Sequence, residues 1–331
     1  MKELIENQIA ETLDVADNET QYDASARKIV AQKAILAYIL KSTMDEFTSV
    51  SVKQIMELIE GTPQIHEAAV HQDTPDAPSA DSERLSGSDR IKDMATEDVS
   101  IREGTVRYDI RFTVRVPKAN EWIEIIVNIE IQNKDTPGYP IPKRGIYYGS
   151  RLISAQRGPV FKDQEYAKIK KVVSIWICEN TALSREDTIN EYSILEKCRR
   201  GSYHEEKKNY DLMQVIVMRL GSGGENSEDD AIRLLSKLFS DERSAEDKKR
   251  VLSEEFHIDV TRELSQEVSR MCNLSTGILE KGIETGIEKG RMETLFGLVQ
   301  DGFLTISIAA NQAKMDVAVF EQKYKDWSQR M

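Results

Sequence analysis

The sequence predicts an α/β fold, a mixed β-sheet flanked by helices, with a mostly helical C-terminal half. Three observations carry that expectation. Residues 26–47 (ARKIVAQKAILAYILKSTMDEF) repeat Ile29, Leu36, Ile39, Leu40 and Phe47 at helical spacing. Residues 105–116 (TVRYDIRFTVRV) and 122–132 (WIEIIVNIEIQ) alternate with period two. Residues 171–178 (KVVSIWIC) are apolar and β-branched with little alternation, as in a strand covered on both faces. Helix, strands, helix and strand in that order describe an α/β sandwich.

The elements follow in sequence. Residues 1–24 form a polar N-terminal arm without the apolar run of a secretory signal. Residues 25–185 hold the main core. Within it, 52–60 read as a short helix stopped at Gly61–Thr62–Pro63, and 71–96, rich in Asp, Ser, Pro and Gly, read as a loop excursion. In the first alternating segment Val106, Tyr108, Ile110 and Phe112 share one face, and Arg107, Asp109 and Arg111 the other. In the second, Ile123, Ile125, Val127, Ile129 and Ile131 oppose Glu124, Asn128, Glu130 and Gln132. Pro117–Asn120 between them gives an antiparallel hairpin. A Pro-rich loop at 137–142 precedes a helix over 143–156. Residues 186–275 read as a mainly helical extension in which 212–220 could add a strand. Residues 276–290 (Gly282, Gly286 and Gly290 spaced by four) are either a tether or a helix, with the tether slightly favoured. Residues 291–331 form a small helical segment, a packing or dimerisation bundle ahead of a helix-turn-helix, since 303–313 carry no basic residue.

The net charge of −12 suits no protein that coats nucleic acid, but the charge is uneven. Residues 133–171 carry nine basic and three acidic side chains, either a charged surface stripe or a basic face beside a site. No run approaches the ~20 apolar residues of a membrane span, so no membrane partner is expected. Cys178, Cys198 and Cys272 lack disulfide or zinc spacing, which indicates reduced thiols and a cytoplasmic protein.

A turn centred between Ala119 and Asn120 sets Asp109 opposite Glu130 on one polar face, with Gln132 pointing the same way. Opposed carboxylates repel. On a covered face they call for a positive group between them, and a hard divalent cation with oxygen ligands would serve. On a solvated face they are the ordinary polar side of an antiparallel strand. From spacing alone the second reading is the commoner one. Gln132 does not titrate near neutral pH, so its amide could orient a water but not act as a general base.

The segments TVRYDIRFTVRV, VNIEIQNKDTPGYPIPKRGIYYGSRLISAQ, YAKIKKVVSIWIC, NEYSILEKC and EKGIETGIEKG together resemble the PD-(D/E)XK nuclease family transposases, related to the recombination-promoting nucleases. The resemblance runs from about residue 25 to the Gly repeat. It implies a restriction-endonuclease-like core and an Mg²⁺-dependent (or Mn²⁺-dependent) endonuclease acting on DNA, recombination-promoting or associated with a mobile element. It implies metal ligation by Asp109, Glu130 and the Ile131 carbonyl. Gln132 stands where the superfamily usually has Lys, so Lys143 or Arg144 would have to supply the charge. On the following helix Lys143, Arg144, Tyr148 and Arg151 are the candidate DNA contacts, and Glu46 matches an acidic residue of the first core helix. Double-strand cutting by a single-site fold would favour a homodimer. The alternative is a nuclease-fold protein with weak or absent catalysis that binds DNA or protein.

Overall fold

The computed structural model describes residues 17–65, 97–100, 104–118 and 121–329. The loop excursion expected at 71–96 and most of the polar arm lie outside these residues. Two compact units divide the chain, one spanning Thr20–Cys272 and the other Asn273–Met331 with Met1–Glu19.

In the first unit the helical repeat folds as two helices rather than one. Residues 17–30 form α1, so the helix begins within the stretch expected to be arm. The chain breaks at Ala31–Gln32 and resumes as α2 (Lys33–Thr43). Ser51 caps α3 (Val52–Leu58) through a reciprocal capping box with Gln54. The strands are β1 (Gln64–Ile65), β2 (Glu97–Ser100), β3 (Gly104–Arg107), β4 (Ile110–Lys118) and β5 (Glu121–Lys134). After helix α4 (Ile141–Ser154) come β6 (Val172–Asn180), β7 (Thr188–Ser193) and β8 (Met213–Arg219). Six of them build a mixed sheet in the order β1-β4-β5-β6-β8-β7, and β2 and β3 pair separately. The expected strand near 212–220 is present as β8. The edge strand β7 falls where the sequence suggested mainly helix. Its outward residues are exposed and polar, so it lacks the apolar signature of a core strand.

Helices cover both faces of the sheet. One core joins Ile110, Phe112, Val127, Ile129, Ile175 and Ile216 to α1, α2, α5 (Asp230–Phe239) and, after the short α6 (Ala245–Arg250), the start of α7 (Arg262–Gln300). The other joins Tyr108, Ile126, Trp176, Val215 and Val217 to Ile141, Tyr148 and Leu152 of α4. Close packing there depends on Gly145, where an added Cβ would lie 2.4 Å from Val215 Cγ1 and 2.9 Å from Trp176 Nε1. The single apolar face expected for 106–112 is corrected here. Val106 and Tyr108 face α4, whereas Ile110 and Phe112 face the opposite core. The ladder stops at Tyr108–Asp109, and the alternation changes phase across that break.

In the second unit Leu295, Phe296, Ala309, Ala310 and Phe320 bury against one another where the end of α7 meets α8 (Ile306–Gln312) and α9 (Val317–Ser328). The Gly repeat is helical and belongs to α7. Added Cβ atoms on Gly282, Gly286 and Gly290 would meet nothing within 4 Å among the described residues.

Candidate active site

The hairpin register puts the carboxylates together. Ile110 pairs with Ile129 and Arg111 with Asn128, so the next position outward sets Asp109 opposite Glu130, as the spacing predicts. β4 ends there while β5 continues to Lys134 alongside β6. The strand N–H of Ile131 therefore has no β4 partner, and Asp109 Oδ2 accepts it at 3.0 Å. Glu130 Oε1 in turn accepts the Asp109 N–H at 3.4 Å and Asn128 Nδ2 at 3.2 Å.

The polar face of β5 is not solvated. α4 covers it, leaving Asn128 0% and Glu130 3% exposed. Burial, and next the Asp109 charge, push the Glu130 carboxyl well above the ordinary carboxylate range. Arg144 and the hydrogen bonds from Asn128 and the Asp109 backbone oppose that shift. Two cationic side chains balance the pair. Arg27 of α1 donates from Nη1 to Asp109 Oδ1 at 3.1 Å. Arg144 of α4 lies with its guanidinium carbon 5.0 Å from the Tyr148 ring centroid, 5.3 Å from that of Tyr139 and 5.4 Å from that of Trp176. Its Nη2 donates to the Tyr148 hydroxyl at 2.7 Å, and its Nη1 to that of Tyr139. Burial, followed by Glu130, pushes the Tyr148 phenol up to about 12.

The other expected residues separate. Gln132 shares the covered face, and its Oε1 is buried with no hydrogen-bond partner. Lys143 is exposed on α4. Tyr148 and Arg151 are buried, and Arg151 Nη1 donates to the Tyr147 hydroxyl at 3.1 Å. Glu46 does not join the site. It pairs at 2.9 Å with Lys171, which Asp211 also holds at 3.0 Å. Lys171 precedes Trp176, the strand neighbour of Glu130, by five residues, roughly 16 Å of strand. The expected basic face is partly neutralised in the same way, since Lys170 pairs with Glu124 and Lys168 with Glu165.

The donor set suits a hard divalent cation. Two carboxylates adjoin buried carbonyl oxygens of Asn128 and Gln132 that lack partners. Among the described residues no three His, Cys, Asp or Glu side chains converge on a metal position, so backbone, amide or water oxygens would complete the shell. Sequence reasoning missed Arg27, Asn128, Tyr139 and Trp176 as neighbours of the site. Arg27 left no signal in the periodicity, because it lies two residues, about 200° of helix rotation, from Ile29 on the apolar face.

No helix among the described residues is long and apolar enough to cross a membrane. No curated protein and no solved structure matches the chain. The family model of the PD-(D/E)XK nuclease family transposases matches residues 93–267, from β2 through the first residues of α7, and so takes in both carboxylates, α4 and the central strands. That match covers more than half of the chain, and the protein belongs to the PD-(D/E)XK nuclease family transposases.

Proposed function

We propose that the protein is a divalent-cation-dependent DNA endonuclease that hydrolyses phosphodiester bonds. The observation that carries this reading is the covered pair of carboxylates, Asp109 and Glu130, beside unpartnered amide oxygens and a stacked arginine. Asp109, Glu130 and the Ile131 carbonyl would hold Mg²⁺ or Mn²⁺. Such an ion, when bound, lowers the pKa of coordinated water and offsets charge on the phosphate. Gln132 orients the attacking water or touches the scissile phosphate through its amide. Arg144 supplies the positive charge that Gln132 lacks, from a position fixed by three aromatic rings. Lys143, on the exposed side of α4, contacts the nucleic-acid backbone. Cutting both strands with one site per chain calls for two copies. The setting is cytoplasmic, in recombination or the movement of a genetic element.

A nuclease-fold binding module is the second reading, and the neutral Gln132 favours it. Supercoiled plasmid separates the two. The enzyme nicks or linearises it with Mg²⁺, stops in EDTA and loses activity as Glu130→Ala. Intact plasmid with Mg²⁺ and with Mn²⁺, together with retained DNA binding, would establish the module instead.

A further inference from the structure

Asp109 already has a cation. The Arg27 guanidinium reaches Oδ1 at 3.1 Å, with the two side chains 8% and 14% exposed. Oδ2 is taken by the Ile131 N–H. Each carboxylate oxygen of Asp109 therefore already accepts one hydrogen bond, and Oδ1 does so from a fixed positive charge that an incoming ion would meet. The arrangement answers an electrostatic need, because Asp109 and Glu130 adjoin in a covered site where like charges are strongly disfavoured.

We propose that Arg27 is a built-in competitor for the metal position, which neutralises Asp109 in the cation-free protein and must release it when a divalent cation binds. This rests on the proposal that Asp109 and Glu130 hold the ion.

The physical case has two parts. A divalent ion in direct contact with Asp109 would place two positive charges beside a third in a medium of low effective dielectric, so ion and guanidinium exclude one another. Finally, Arg27 is held on one side only. Its Nε is buried without a hydrogen-bond partner. Its helix is fixed independently, because Ser25 Oγ and Lys28 Nζ both bond Glu267 of α7, at 2.9 and 3.2 Å, and Arg270 bonds Gln21 at 3.0 Å. Release then needs a rotamer change of one side chain, with α1 staying in place. The competitor sets a threshold, and the site loads only where the divalent cation, or the cation together with substrate phosphate, outbids the guanidinium.

The test is Mn²⁺ binding by the full-length, DNA-free protein, followed by calorimetry. Arg27→Gln should tighten binding by about tenfold, since it removes the opposing charge. Arg27→Lys keeps the charge and should stay within about twofold of the parent. Glu130→Gln should lose binding, which checks the underlying site independently. If Glu130→Gln loses binding while Arg27→Gln binds Mn²⁺ no more tightly than the parent, the competition is overturned and the metal site stands. If Arg27→Gln and Arg27→Lys tighten binding equally, charge is not the cause and the proposal also falls. If Glu130→Gln binds as the parent does, both proposals fail. Should the glutamine variant not fold, NMR of the arginine side chains in the unmodified protein decides, with Arg27→Lys assigning the signal. Saturating Mg²⁺ should move the Arg27 guanidinium resonance to the position of exposed arginines, and an unmoved resonance would overturn the proposal.

Discussion

Glu130 receives the backbone N–H of Asp109 on its Oε1 at 3.4 Å, so each acid of the pair is held by the strand that carries the other. The side chains are thus placed before any substrate arrives, which is the geometry an electrostatic site requires. Asp109→Ala and Glu130→Ala should each lower plasmid cleavage by roughly three orders of magnitude while circular dichroism shows the fold intact. Glu130→Gln keeps the acceptor and removes a charge that the enclosed site disfavours. In cation-free buffer it should raise unfolding stability by about 1 kcal/mol in urea titrations.

Arg144 is gripped by the Tyr148, Tyr139 and Trp176 rings and by two hydroxyls, so its position depends on a planar, forked head group. Lysine cannot reproduce that. Arg144→Lys should slow single-turnover cleavage about 10- to 100-fold, and a rate equal to that of the parent would show that the missing lysine charge comes from elsewhere.

Lys171 is the shared partner of Glu46 and Asp211. Burial disfavours its ammonium, but Glu46 and then Asp211 more than offset that and hold it charged. Lys171→Met would leave two acids facing each other and should cost about 2–4 kcal/mol of stability. Glu46→Gln should leave the cleavage rate within about twofold of the parent, because this cluster lies well down the strand from Glu130. A large loss of cleavage in Glu46→Gln would place that residue in the catalytic machinery after all.

Gly145→Ala should destabilise the protein by about 2 kcal/mol, measured by thermal melting, because the new methyl group meets Val215 and Trp176 in a filled layer. Gly149→Ala should cost less. There the nearest neighbour is the Met213 side chain, which can bend away.

Glu179, at the end of β6, accepts the Tyr22 hydroxyl at 3.2 Å. Burial, and then Asp23, push its carboxyl up to about 8, with Asp241 adding and Lys248 and the Tyr22 hydrogen bond opposing. A carboxyl whose folded pKa exceeds its unfolded value binds a proton on folding. Its contribution is complete below about pH 4.5 and is lost as pH rises towards 8. Stability in urea should therefore fall across this window by up to about 5 kcal/mol, and Glu179→Gln should flatten that part of the profile.

The β4–β5 register was legible because Pro117–Asn120 marks a turn and alternation admits one pairing that buries both apolar faces. The change of phase at Asp109 was not, since Val106, Tyr108, Ile110 and Phe112 look like one unbroken stripe until helices are known to cover both faces. The strand β7 escaped notice because an exposed edge needs no apolar residues. Glu46 was misleading because an acid near the end of a helix looks the same whether it meets a metal or Lys171. The Gly repeat was weighed by local propensity, which charges about 1 kcal/mol per glycine and takes no account of a helix that continues on either side.

The break at Tyr108–Asp109 gives the site an unusual relation to its scaffold. Counting one residue fewer there, the side chains of 106 and 108 and those of 110 and 112 would alternate without interruption between the two cores they already occupy. Asp109 is in this sense supernumerary to the alternation, although its carboxylate still receives the Ile131 N–H and the Arg27 guanidinium. Removing it would keep the alternation but leave a buried guanidinium and a strand N–H without their partner, so the residue that interrupts the ribbon also helps to hold it.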